Sequence, residues 1–357
     1  MQAGKLPLDM LSNLLGSLEI TDPRVALGPT PGEDAALIDF GDRYLVAKTD
    51  PITFATDMIG WYVVQVNAND LAVMGATPRW LMATMLFPEG TTRKAIEDAF
   101  TQLSEACDSQ GIALIGGHTE ITYDLPRPIA VGAMLGEVAK DRVVLSSGAK
   151  PDDALILTKG IAIEGTSLLA REAADALRDA GVESDMIERA REMLFSPGIS
   201  VAQEAAIACD TVDVHAMHDP TEGGLSTAIA EMAAASGTGA LVDADSVPVL
   251  LECEVFCSAL GLAPLGLIAS GALLAATAPE DAPILIEALV HEGIAAYEIG
   301  RVTSEAEGLR LRSQDGIVPL PSFERDELAR FLSAQAGFAQ GRRVTATPSS
   351  PRTESSN

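Results

Sequence analysis

"NANDLAVMGATP", residues 67–78, is the stretch on which the fold turns. Asp70 is the only charged residue between Asp57 and Arg79; its neighbours are apolar, small or neutral-polar. A lone carboxylate in such a run is expensive to bury unless a partner or a metal offsets its lost hydration. Residues 58–75 read as a buried helix, so the question is what Asp70 faces.

The rest of the chain bounds the answer. Its 357 residues suggest about two domains. Hydrophobic residues make up 47%, enough for a sizeable core, whereas aromatics at 4% leave packing to Ala, Leu, Ile, Val and Met. A formal charge of -27 repels phosphate backbones and anionic lipid, so neither nucleic acid nor a membrane surface is an expected partner. An anionic substrate would need a metal or local basic groups. The four cysteines, Cys107, Cys209, Cys253 and Cys257, read as buried, reduced thiols of a cytoplasmic protein. No charged-then-apolar leader opens the chain, and no signal peptide is expected. Residues 255–279 carry no charge, but Gly261, Pro264, Gly266 and Gly271 divide them into a helix end, a turn and a buried strand.

Leucines at 8, 11, 14, 15 and 18 have helical spacing. A Gly/Pro loop then leads to a short strand, and "RYLVAKTD" is a second strand ending at Thr49-Asp50. Residues 92–110 are amphipathic and stop at Gly111. "IALIGGHTEI" reads as strand, glycine turn, strand, and "PIAVGAMLGEV" as a further strand. Strands are expected at 154–158, 272–277 and 294–299. Helices are expected after "TKGIAIEG", at 199–208, after "HDPTEGG", at 281–292 and at 323–335. The Ser/Gly/Pro-rich stretch near 145–152 reads as a boundary, giving domains at 1–148 and 149–338. Residues 339–357 read as a disordered tail.

Five acidic residues share one context, a strand end or loop beside small residues: Asp34, Asp50, Asp70, Glu120 and Asp219. Magnesium takes oxygen ligands and usually binds through one or two carboxylates plus substrate phosphates. A turn reading remains open for Asp34 and for Asp50-Pro51. Gly116 and Gly117 would let backbone N–H groups approach a ligand closely. "DPTEGGL" opens a helix whose N-terminus favours an anion. His215 and His218 flank "AM", but no further His or Cys follows at ligand spacing, so a transition-metal site is not expected.

Together and in this order, "GKLP", "GEDAALID", "KTDPITF", "NANDLAVMGATP", "GGHTE", "TKGIAIEGTSLLA", "HDPTEGGLSTAIAEMA" and "SGALL" resemble the AIR synthase superfamily of ATP-binding enzymes. That superfamily includes aminoimidazole ribonucleotide synthetase, thiamine-monophosphate kinase, selenophosphate synthetase and the hydrogenase maturation factor HypE. The resemblance covers roughly residues 4–335 and is nearest to the HypE-like branch. It implies two α+β domains and a homodimer in which N-terminal-domain strands pair across the two-fold axis. ATP would lie in the cleft between domains, near the partner subunit. The resemblance implies magnesium on Asp34, Asp50 and Asp70, and catalytic roles for Lys5, Asp70, Glu120 and Asp219. It implies nucleotide contacts from Asn67, Asn69, Gly116, Gly117, His118, Thr119, Thr221 and Gly223.

Three departures bear on the chemistry. HypE ends in a cysteine that carries the carbamoyl group, whereas this chain ends in Asn357 and its last cysteine is Cys257. Ser270 stands where HypE has an acidic residue, and Glu222 where HypE usually has a basic one. What the resemblance implies is therefore magnesium- and ATP-dependent phosphoryl transfer to a carbonyl- or carbamoyl-type oxygen, on a small-molecule or protein-bound acceptor. Hydrogenase or metallocentre maturation is the implied context. A small-molecule kinase, a purine-pathway ligase of the same superfamily and a non-catalytic nucleotide-binding scaffold are the alternatives.

Overall fold

The computed structural model describes residues 5, 6 and 8–344. In the N-terminal half the elements are α1 (Leu8–Leu15), β1 (Val25–Leu27), β2 (Ala36–Asp39), β3 (Arg43–Ile52), α2 (Ile59–Ala72), β4 (Thr77–Pro88), α3 (Arg93–Gln110), β5 (Ala113–Thr122) and β6 (Ile129–Ala139). In the C-terminal half they are β7 (Ala154–Thr158), α4 (Ile163–Glu172), α5 (Ala174–Asp179), α6 (Ser184–Glu192), α7 (Ala202–Thr211), β8 (Val214–His218), α8 (Gly224–Ser236), β9 (Thr238–Asp243), α9 (Leu251–Leu260), β10 (Leu274–Thr277), α10 (Ala282–His291), β11 (Ala296–Ser304), β12 (Leu309–Ser313), β13 (Gly316–Pro319) and α11 (Glu327–Val344). Among the described residues the strands form a six-stranded sheet, β1-β2-β3-β6-β4-β5, and a seven-stranded sheet, β13-β12-β9-β11-β7-β10-β8. The architecture is α+β. No helix among the described residues is long and apolar enough to cross a membrane.

The helix expected at 58–75 is α2, and every residue of it except Trp61 is buried. An element apolar all round must be covered all round. The first sheet covers one side, where β6 alternates buried and half-buried positions. On another side α3 comes so close that a Cβ on Gly60 would lie 2.1 Å from the Ala99 carbonyl oxygen. The apolar core that begins at α2 continues into α4, α6 and α9, so the two halves share packing.

Two expectations are corrected. "IALIGGHTEI" is not strand, turn, strand; it lies in β5, one continuous edge strand paired in parallel with β4. The glycines serve a close approach instead. Gly117 has φ +148°, and a Cβ there would sit 1.9 Å from the Ala83 carbonyl oxygen. Asp50-Pro51 is not a turn, because β3 pairs with β6 through Ile52. The strands β1, β4, β8, β9, β12 and β13 and the helix α6 were not legible in the sequence, and the single helix expected after "TKGIAIEG" is divided into α4 and α5. Of the expected tail, 339–344 belong to α11, and 345–357 lie outside the described residues.

Candidate active site

Six segments converge on one cluster of charge. On β3, Lys48 and Asp50 project to the same side by strand alternation. Asn67 of α2 fixes that strand: its Oδ1 accepts from the Asp50 amide at 2.8 Å and its Nδ2 donates to the Asp50 carbonyl at 3.2 Å. Three residues further along α2, Asp70 accepts from Lys48 Nζ at 3.1 Å through Oδ1. Asp34 lies just before β2, and its Oδ2 accepts from Ser146 Oγ at 3.3 Å. β8 ends at His218, so Asp219 follows directly from a buried strand. The His218 ring is held between Asp34 Oδ1, 2.9 Å from Nδ1, and Glu231 Oε2 of α8, 3.1 Å from Nε2. Lys5 adjoins this cluster from the N-terminal segment, donating to Thr221 Oγ1 at 3.2 Å, with Nζ 3.5 Å from Glu231 Oε1.

The charges do not balance. Asp219 is 1% exposed, and neither of its oxygens has a hydrogen-bond partner among the described residues; Asp70 Oδ2 has none either. Burial raises the Asp219 carboxyl well above the usual range, Asp70 and Asp34 add to the rise, and His218 and Lys48 oppose it. Asp70 is pushed up to about 7 by burial, against Lys48 and with Asp50 and Asp34. Burial works against the Lys48 ammonium, yet Asp70, Asp50, Asp34 and Asp219 outweigh it and hold its pKa above the ordinary lysine value. For His218 too, Asp34 and Glu231 overcome burial and raise the pKa well above its usual value. With a carboxylate at each nitrogen, His218 is a cation within the cluster.

A hard divalent cation fits what remains. Ligating atoms of Asp34, His218 and Asp219 lie within 4.8 Å of one another. His218 Nε2 is engaged by Glu231 and Nδ1 lies against Asp34 Oδ1, so the cluster offers a cation chiefly carboxylate oxygens, the donors magnesium takes. Buried carboxylates in excess of their cations, converging from both halves of the chain, point to a site for positive charge.

The other expected residues are placed differently. Asn67 is committed to Asp50 and Val63. Asn69 is a strut between the halves: its Nδ2 donates to the Ile199 carbonyl at 2.8 Å and its Oδ1 accepts from the Val201 amide at 2.9 Å. Neither side chain is free for a nucleotide, because each already satisfies buried backbone groups. The Gly223 amide at the start of α8 is also taken, donating to Asp326 Oδ2 at 2.8 Å. Gly116, Gly117, His118, Thr119 and Glu120 are exposed on β5, with His118 Nε2 3.0 Å from Glu120 Oε2. The register runs Asp50, Gly132, Ala83, Gly117 across β3, β6, β4 and β5. Three strand spacings separate these residues from the carboxylates by about 14 Å within one chain. Sequence reasoning missed Lys48, Ser146 and Glu231. Lys48 had a signal, since it stands two residues before Asp50 in a strand.

The N-terminal-domain family described as AIR synthase related protein matches residues 32–138, and its C-terminal-domain counterpart matches 150–311. The chain belongs to the AIR synthase related family. A Methanocaldococcus jannaschii protein named for hydrogenase expression/formation is 30% identical over 331 residues, 89% of this chain and 94% of that protein. Carbamoyl dehydratase HypE of Rhizobium leguminosarum is 28% identical over 271 residues, 74% and 73% of the two chains. Among solved structures, the hydrogenase maturation protein HypE in complex with ATP has a TM-score of 0.64 at 22% identity, covering 92% of this chain and 98% of that one. Within the AIR synthase related family this chain is HypE-like.

Proposed function

We propose that this chain is a magnesium- and ATP-dependent enzyme that transfers the γ-phosphoryl group to a carbonyl- or carbamoyl-type oxygen, in hydrogenase or metallocentre maturation. One observation carries the reading: Asp219 and Asp70 are buried with three carboxylate oxygens unpartnered, beside Asp34. Buried carboxylates in excess of their cations must take up protons or meet positive charge brought by a ligand. Asp34, Asp70 and Asp219 would hold magnesium, with Asp50 beside them, and magnesium there would neutralise charge on the nucleotide phosphates. Lys48 and Lys5 place ammonium groups beside the same cluster, where they orient and screen phosphate oxygens. In the transfer, the acceptor oxygen bonds to the γ-phosphorus as the bond to the bridging oxygen breaks, and ADP leaves.

The second part of the reading is a homodimer. β5 is an unpaired sheet edge with Leu114, Ile115 and Ile121 exposed, which invites pairing with another strand. Pairing across a two-fold axis would bring Gly116–Glu120 of one protomer to its partner, and their separation from the carboxylates within one chain supports this.

The test is ADP formation from ATP with carbamoyl phosphate or a carboxamide as acceptor. Turnover is expected with magnesium and lost on chelation and in Asp34→Asn. Turnover that survives both would refute the reading.

A further inference from the structure

A second buried polar group lies at the start of α4. Glu164 is 5% exposed, and its Oε2 has no hydrogen-bond partner among the described residues. Its position is set by the segment before β10: the Glu164 amide donates to the Ser270 carbonyl at 3.2 Å and the Gly165 amide to the Ile268 carbonyl at 3.0 Å. A Cβ at Gly165 would fall 2.6 Å from the Ile268 oxygen, so only glycine permits this contact. Ser270 adjoins the carboxyl, and its buried Oγ has no other partner among the described residues. Tyr62 of α2 is within electrostatic reach, with Ser167 beside its buried hydroxyl.

The surroundings specify what would satisfy these groups. The charged side chains that act most on Glu164 are Asp326 and Glu222, both acidic. Burial pushes the carboxyl up to about 7, with Ser270 opposing and Asp326 and Glu222 adding to the rise. An anion here would meet the like charge of Glu164, Asp326 and Glu222 first, whereas an N–H donor would meet a carboxylate able to accept hydrogen bonds. The cluster also connects to the phosphate end. The Ala269 amide donates to the Thr221 carbonyl at 3.3 Å, two residues beyond Asp219, and Asp326 holds the Gly223 amide on the same loop.

We propose that Glu164, with Ser270 and Tyr62, is the recognition end of the acceptor subsite, taking an uncharged or cationic N–H donor such as a carboxamide or amidine and rejecting a phosphate or carboxylate. This rests on the reading of the cleft as an ATP-dependent transfer site.

The experiment titrates acetamidine, acetamide, acetate and inorganic phosphate separately into the full chain and into Glu164→Gln, by calorimetry or ligand-observed NMR. The wild type is expected to bind acetamidine more tightly than acetamide, with acetate and phosphate not competing. Glu164→Gln should bind acetamidine at least about tenfold more weakly and lose the preference for the cation. Equal acetamidine affinity in the two proteins overturns the proposal, as does absence of acetamidine binding to the wild type. If Glu164→Gln does not fold, Tyr62→Phe and Ser270→Ala replace it, each deleting one oxygen. At least one must weaken acetamidine binding severalfold, and unchanged affinity in both overturns the proposal. Magnesium-ATP is titrated into the wild type in parallel. Glu164-dependent acetamidine binding without nucleotide binding refutes the transfer reading and leaves the donor site standing.

Discussion

Replacing Asp219 with asparagine distinguishes a carboxylate held for a cation from one held for the fold. A group whose folded pKa is raised takes up protons more readily in the folded chain. Its stabilising contribution is complete below its unfolded value and is lost as pH rises through the folded one. Asp219 is such a group, and so is Asp70, which rises from 3.8 to about 7. For Asp70 alone the interval corresponds to on the order of 4 kcal/mol. The metal-free protein should therefore melt lower at pH 8 than at pH 5.5. Asp219→Asn removes one buried anion without a partner, so at pH 8 the metal-free variant should be as stable as the wild type or more stable, by up to about 2 kcal/mol. Magnesium-ATP at 100 times its Kd should stabilise the wild type by about 2.7 kcal/mol. For a chain of this size that is a Tm shift of about 4 °C. The variant should lose most of that shift. Thermal melts of both proteins, with and without magnesium-ATP, read all four quantities. A metal-free variant destabilised by more than about 2 kcal/mol that keeps the full nucleotide shift would refute the reasoning.

Lys48→Met removes the cation 3.1 Å from Asp70 and should lower stability at pH 8 by about 3–5 kcal/mol, and by less at pH 5, where the carboxyls hold protons; urea titrations at the two pH values check it. Asn69→Ala leaves the Ile199 carbonyl and Val201 amide without their partner, a loss of about 2–4 kcal/mol, and hydrogen exchange at Val201 should accelerate. Gly117→Ala should lower the Tm by several degrees, because its Cβ would meet the Ala83 oxygen at 1.9 Å. Gly116→Ala, whose nearest neighbour is Met82 Cγ at 4.0 Å, should be tolerated.

Asp70 was legible because the sequence isolates it among small, apolar and neutral-polar residues, where a buried charge needs an explanation, and Asp34 and Asp219 because each sits in a loop beside small residues. α2 was legible from a long run with a single charge and no proline or internal turn signal. β5 was misread because a Gly-Gly pair usually marks a turn, whereas here Gly117 is required by the approach of β4, thirty-four residues earlier in the chain. The partners of Asn67 and Asn69 are backbone groups on β3 and near residue 200, and no local pattern announces them. Lys48 was passed over because a lysine near a strand end reads as solvent-facing until the carboxylates around it are placed. β9 and β12 escaped notice because "TGALVD" and "LRLRS" are short and carry glycine or charge, and their pairing with each other is parallel and non-local.

The most direct test of the central claim is to locate a bound metal. Crystals grown with manganese and a non-hydrolysable ATP analogue, measured for manganese anomalous scattering, place the ion independently of any assay. The account predicts a peak within about 2.5 Å of carboxylate oxygens of Asp219 and of Asp34 or Asp70, with the triphosphate beside Lys48. A triphosphate bound elsewhere, for example in the surface groove of about 370 Å³ that Gln203, Asp210 and His291 line, with no manganese at Asp219, would contradict it.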